Sequence, residues 1–152
     1  MSHGGLHILR SDADAPGARE RANATPPVTV LLVEDDAAIA EALEDMLRDE
    51  GLEVARAANG REALALLRRG LRPSSILLDL MMPVMDGWDF RQEQLADPAL
   101  KDIPVVVVSA AGFSPETIRA QLGEVHLLPK PVPCRALFEI LGQVRAPASS
   151  AA

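Results

Sequence analysis

The chain has 152 residues, 48% of them hydrophobic and 24% charged, with a formal net charge of −7. That balance builds one folded core and excludes wholesale disorder, while no run nears the roughly 18 apolar residues of a membrane span and no secretory signal opens the chain. The negative charge argues against a direct grip on nucleic acid, and a single cysteine, Cys134, with no partner for an internal disulfide, fits a reducing cytoplasm.

Residues 1–27 read as a flexible arm ending in Pro26-Pro27, with little apolar periodicity beyond Leu6, Ile8 and Leu9. Arg10, Arg19 and Arg21 there cancel Asp12, Asp14 and Glu20, so the whole negative charge falls on the part that folds. Val28 to Val33 is a β-branched apolar run that stops at three acids, Glu34, Asp35 and Asp36. Ile39, Leu43, Met46 and Leu47 then recur at helical spacing, closed by Gly51. Glu53–Ala57 is a weaker strand, followed by a helix from about Arg61 to Arg69 that ends at Gly70. Ser75–Leu80 reads as a buried strand and Met81–Gly87 as a loop, with a helix from Trp88 to about Ala96. Val105–Val108 is the most strand-like run, and Ser114-Pro115-Glu116 is a helix start. Val125–Leu128 is a last short strand, Leu137, Phe138, Leu141 and Val144 line a final helix, and residues 146–152 form a disordered Ala/Ser/Pro tail.

Five β-α units with apolar strands imply a parallel sheet covered on both faces, because each parallel connection needs a crossover. Right-handed crossovers reduce this to a doubly wound open sheet, whose function collects at the carboxyl ends of the strands. Those ends carry Glu34, Asp35 and Asp36, then Asp79, then Ser109, then Lys130 between Pro129 and Pro131. Asp79 interrupts an apolar stretch from Ile76 to Met82, so its carboxylate loses solvation that something must replace. Neighbouring acids worsen the problem by repulsion, and a divalent cation such as Mg²⁺, which takes oxygen ligands, relieves both. Lys130 is one of only two lysines against 13 arginines, which suggests that a compact point charge is wanted beside a phosphoryl oxygen. Ser109 adds a hydroxyl after the four valines. A carboxylate attacking phosphorus needs these parts together: a metal, an opposing cation and a further donor. Met81, Met82 and Met85 read as packing residues rather than soft-metal ligands. His126 reads as solvated, Trp88 as partly covered, and Cys134 as part of the first turn of the last helix.

Asp79 lies 44 residues after Asp35, Ser109 lies 30 after Asp79 and Lys130 lies 51 after Asp79. Together with Leu-Leu-Val-Glu-Asp-Asp, Met-Met-Pro-Val-Met-Asp-Gly and Pro-Lys-Pro, these intervals resemble the receiver domain of bacterial two-component response regulators over residues 28–145. The resemblance implies a flavodoxin-like fold, a five-stranded parallel sheet of order 2-1-3-4-5 with helices on both faces. It implies Asp79 as phosphoacceptor, Ser109 as switch hydroxyl and Lys130 as phosphate-binding lysine. Mg²⁺ would be held by Glu34 (mostly through water), Asp35, Asp79 and the backbone carbonyl of Met81, with Asp36 left to the helix start. It also implies a cis Lys130–Pro131 bond. The implied partner is a sensor histidine kinase, with a histidine phosphotransfer protein or an effector downstream, and a phosphorylation-dependent dimer as one output. With few residues after Arg145, the expectation is a stand-alone cytoplasmic regulator that catalyses only its own phosphorylation and dephosphorylation. Relatives place an aromatic three residues before the lysine; here that position is Leu127, and Phe113 is the candidate to replace it. Two alternatives are a receiver-like module that is not phosphorylated and an aspartyl-phosphate phosphohydrolase. The second lacks the acid it needs two residues after Asp79, where Met81 stands.

Overall fold

The computed structural model describes residues 28–110 and 112–145. The arm of residues 1–27 and the tail of residues 146–152 lie outside the described residues, as does Ala111. The elements in chain order are β1 (Thr29–Val33), α1 (Ala37–Asp49), β2 (Glu53–Ala57), α2 (Gly60–Arg68), β3 (Ser75–Asp79), α3 (Gly87–Ala96), β4 (Val105–Ser109), α4 (Pro115–Leu122), β5 (His126–Pro129) and α5 (Cys134–Arg145). All strand pairs are parallel, in the order β2-β1-β3-β4-β5.

The period-2 alternation of the central strands splits the core in two. Leu31, Val33, Ile76, Leu78, Val105 and Val107 face α2, α3 and α4, where Leu64, Leu67, Phe90, Ile118 and Leu122 meet them. Val30, Leu32, Leu77, Val106 and Val108 face the other way, against Leu43 and Leu47 of α1 and Leu137 and Leu141 of α5. Each fully buried Leu or Phe contributes roughly 1.5–3 kcal/mol, so this two-faced burial is what holds the strand tips in register.

Short polar side chains cap four helices at the edge where the strands end. Asp36, Asn59, Asp86 and Ser114 accept the backbone amides of Ile39, Glu62, Asp89 and Thr117 at 2.9–3.1 Å. The caps set the boundaries, so α2 starts at Gly60 and α3 at Gly87, one residue earlier than periodicity suggests. The last strand is correspondingly His126–Pro129 rather than Val125–Leu128, and β4 runs on to include Ser109.

The helix α3 carries a feature that apolar periodicity hides. Arg91 and Gln94 are buried, at 4% and 0% exposure. The Arg91 guanidinium donates to the carbonyls of Leu122 (2.9 Å) and Glu124 (3.2 Å) and to Gln94 Oε1 (2.8 Å). Gln94 in turn donates to the carbonyls of Leu100 and Ile103. A buried cation thus satisfies carbonyls at the C-terminal end of α4, where the helix dipole is negative. Burial pulls its pKa down from the ordinary arginine value.

Gly87 lets α3 begin directly beneath the end of β3. A Cβ there would stand 2.5 Å from the Asp79 carbonyl oxygen and 2.8 Å from Leu80 Cα, both backbone atoms that cannot swing aside. Gly87→Ala is therefore expected to lose about 2 kcal/mol of stability, as overpacking against a fixed neighbour does, read as a lower urea midpoint with an unchanged slope.

Candidate functional site

The sheet order places β1 and β3 side by side at its centre, with Val33 opposite Leu78. One step further on, Glu34 follows the end of β1 at the level of Asp79, the last residue of β3. The Glu34 amide still donates to the Ala57 carbonyl at 3.0 Å, which turns its side chain inward, where it is 3% exposed. The Asp79 side chain is 6% exposed. Asp35 is exposed at the rim, and Asp36 is spent on its cap. On the far side, the Lys130 amide donates to the Ser109 carbonyl at 3.1 Å, tying the end of β5 to the end of β4. The Lys130–Pro131 bond is cis.

These strand tips bring the expected residues to one place. Lys130 Nζ lies 3.1 Å from Glu34 Oε1 and 3.3 Å from Asp79 Oδ2, bridging the two buried carboxylates. The other Asp79 oxygen accepts the Met81 amide at 3.3 Å, and Glu34 Oε2 accepts the Asp36 amide at 3.1 Å. Glu34, Asp35 and Asp79 each offer a carboxylate oxygen, all within 4.8 Å of one another. Hard oxygen donors converging at that spacing suit Mg²⁺ in kind and number. A cavity of about 440 Å³ opens over this group, bordered by Met81, Ser109 and Phe113.

Charge and burial oppose each other here. Burial raises the Glu34 pKa above its ordinary 4.5, the Asp79 charge adds to the rise, and the Asp36 amide and Lys130 pull against it. Burial also works to lower the Lys130 pKa, but the Glu34 hydrogen bond and the charges of Asp79 and Glu34 outweigh it, and the net shift is upward from 10.5.

Four details differ from the sequence expectation. Glu34 is engaged directly by Lys130 as well as facing the acidic cluster. The Ser109 hydroxyl donates to the Ala110 carbonyl at 2.9 Å, so it borders the cavity while bonded to its own loop. Met82 and Met85 pack against the core as expected, but Met81 is 61% exposed, because the turn that sends its amide to Asp79 leaves its side chain outside. His126 is half-buried in its strand rather than solvated. Sequence reasoning missed Arg91 and Gln94 altogether, since a polar residue on a helix carries no mark of burial.

A profile of the response regulator receiver domain matches residues 30–142. The chain belongs to the response regulator receiver-domain family. It is 38% identical over 121 residues to the response regulator MprA of Mycolicibacterium vanbaalenii, covering 79% of this chain and 50% of that protein. The chain spans about half the length of the curated relatives it matches first. Among solved structures, a putative response regulator from Chloroflexus aurantiacus superposes with a TM-score of 0.72 at 33% identity, over 79% of this chain and 98% of that one. The receiver domain of a Pseudomonas aeruginosa sensor histidine kinase, solved with a magnesium ion in its active-site cleft, has a TM-score of 0.70 at 30% identity, over 77% and 96% of the chains. Receivers of this family are phosphoryl-accepting signalling modules that bind Mg²⁺ at an acidic pocket. Among the described residues, no helix of this receiver is long and apolar enough to cross a membrane.

Lys130 bridges two buried acids at once, and removing it leaves both charges without their cation. Lys130→Met is expected to lower stability at pH 7 by roughly 2 kcal/mol, below the cost of a fully buried pair because the amine is partly exposed. The sign follows from the shifts. Glu34 sits above 4.5, so acid protonates it and shrinks the deficit; Lys130 sits above 10.5, so its stabilisation is complete below that pH and is lost as pH rises beyond. Urea unfolding of both proteins across pH should show the largest difference near neutrality.

Proposed function

We propose that Asp79 is the phosphoacceptor of this receiver and takes its phosphoryl group from a sensor histidine kinase. The observation that carries this reading is the pairing of a nearly buried carboxylate, 6% exposed, with a lysine at 3.3 Å beside two further acids. Lys130 and the Met81 amide hold one Asp79 oxygen each and so fix the plane of the carboxylate. In the transfer an Asp79 oxygen forms a bond to phosphorus while the P–N bond of a phosphohistidine breaks, its electron pair staying on the imidazole nitrogen. Lys130 meets the charge on the transferred oxygens, and Ser109, one bond rotation from its loop carbonyl, donates to another.

Glu34, Asp35 and Asp79 are the side chains that would hold Mg²⁺, with the Met81 carbonyl as the backbone ligand. When bound, the ion neutralises charge and polarises a phosphoryl oxygen. A phosphohydrolase would need an acid where Met81 projects an apolar, exposed side chain, so turnover of phosphate esters is not supported. The receiver domain spans residues 28–145, acts in the cytoplasm, and passes its signal by phosphorylation-dependent docking on another protein or by relay to a histidine phosphotransfer protein.

Incubated with Mg²⁺ and acetyl phosphate, the wild-type chain is expected to gain one phosphoryl group by intact mass, and Asp79→Asn none. Uptake by Asp79→Asn at the wild-type level would overturn the assignment. Mg²⁺ binds only the folded acidic cluster, so at 100 times its Kd it should add about 2.7 kcal/mol of stability, seen as a higher melting temperature. Asp35→Asn should lose most of that gain.

A further inference from the structure

A groove of about 740 Å³ lies between the last turns of α1 and the first turns of α5. It is on the opposite face of the sheet from α4 and apart from the acidic pocket. Its floor is apolar. Met46 and Phe138 pack against the core beneath and stay partly exposed, and the exposed Cys134 places its Sγ 3.3 Å from Met46 Sδ. The rim carries the exposed acids Asp49, Glu50 and Glu139 against a single base, Arg135. Among the described residues, none of these acids takes part in an ion pair. An apolar floor inside an unanswered negative rim suits a segment that is both apolar and basic.

The chain itself carries such a segment. Leu6-His7-Ile8-Leu9-Arg10 sets three large apolar residues next to an arginine. Residues 1–10 hold no acid at all; Asp12 and Asp14 come only after the apolar run. The 17 residues from 11 to 27 join it to Val28 and can span at most about 56 Å. Val28 packs against the same core cluster as Met46 and Phe138, so this connection starts on the groove's own face of the sheet. Tethering makes the contact intramolecular. At an effective concentration on the order of 1 mM, a segment whose own Kd is about 1 mM is already half docked.

We propose that residues 6–10 of this chain dock in the groove between α1 and α5. Leu6, Ile8 and Leu9 cover Met46 and Phe138, and Arg10 answers the acids of the rim. The docked segment shields Cys134, and anything else that seats on this face must first displace it. The contact is independent of the state of Asp79.

Cys134 is the only cysteine of the chain, so its alkylation by iodoacetamide, followed by intact mass, reports what covers the groove. In the full chain, combining Leu6→Ser, Ile8→Ser and Leu9→Ser is expected to speed alkylation at least about twofold, as release of a half-docked tethered segment would. A benzophenone amino acid in place of Leu9 shows where the segment lies: irradiation should join it, within one chain, to residues 46–50 or 134–139. Equal alkylation rates in the two chains overturn the proposal. Crosslinks that fall on other elements do so as well, as do crosslinks between two chains, which would make a second copy the occupant.

Discussion

A single ammonium between two buried carboxylates sets the terms for the rest of this molecule. Lys130 lies 3.1 Å from Glu34 and 3.3 Å from Asp79, attractions of about 5 kcal/mol each at an effective dielectric near 20. Against them stand repulsions among three carboxylates whose oxygens lie within 4.8 Å, each about 3 kcal/mol on the same scale. One positive charge offsets only part of the charge of the two acids it touches and leaves Asp35 facing a negative field. Asp35 tolerates this because it is exposed and solvated. The pocket is stable as it stands, but it holds net negative charge. Further positive charge lowers its energy and further negative charge raises it. A phosphoryl group, adding roughly −1.5 to −2 charge, fits only alongside a divalent cation and every donor within reach.

The backbone makes that crowding possible. Strand order 2-1-3-4-5 brings the first and third strands together at the centre, so the acids after β1 and the acid ending β3 share one level of the sheet. Asp79 is one of only a few polar residues buried anywhere in the described chain. Its desolvation is tolerable because the strands beneath are packed on both faces and cannot sag to reach water. Gly87 contributes by omission: the absence of a side chain lets α3 start against the Asp79 carbonyl. Asp36, next to the pocket, is withdrawn from it by capping α1. The acidic cluster is thus a selection made by local hydrogen bonding from a longer acidic run.

Much of this was legible from the chain because each signal is local. An acid inside Ile-Leu-Leu-Asp-Leu-Met-Met announces its own unusual environment, and a lysine in an arginine-rich protein announces a preference. Caps, apolar alternation and glycine stops gave the ten elements to within a residue or so. Other facts depend on partners distant in sequence. That Glu34 binds Lys130 directly depends on a contact across 96 positions that reaches over the tips of two intervening strands, β3 and β4. Arg91 looks like any polar residue of Gly-Trp-Asp-Phe-Arg-Gln-Glu-Gln until α4 is placed against it. Met81 looked like core because it is apolar, but a loop amide committed to Asp79 fixed its side chain outward. The Ser109 hydroxyl bonds a carbonyl one residue away, a rotamer that composition does not encode.

The structure divides into a part that resists motion and a part that permits it, and the division follows the hydrogen bonds. The carbonyls at the end of α4 and those between α3 and β4 are satisfied by Arg91 and Gln94, which are buried. Loss of any of these bonds inside low dielectric carries the full cost of an unmet polar group, about 1–3 kcal/mol and more for a charge. The loop between β4 and α4 has no such anchors among its described residues; its Ser109–Ala110 bond is solvent-accessible and exchangeable. The two ends of α4 therefore differ in what holds them: buried hydrogen bonds from Arg91 at its C-terminal end, and at its start the Ser114 cap beside a loop with few bonds of its own.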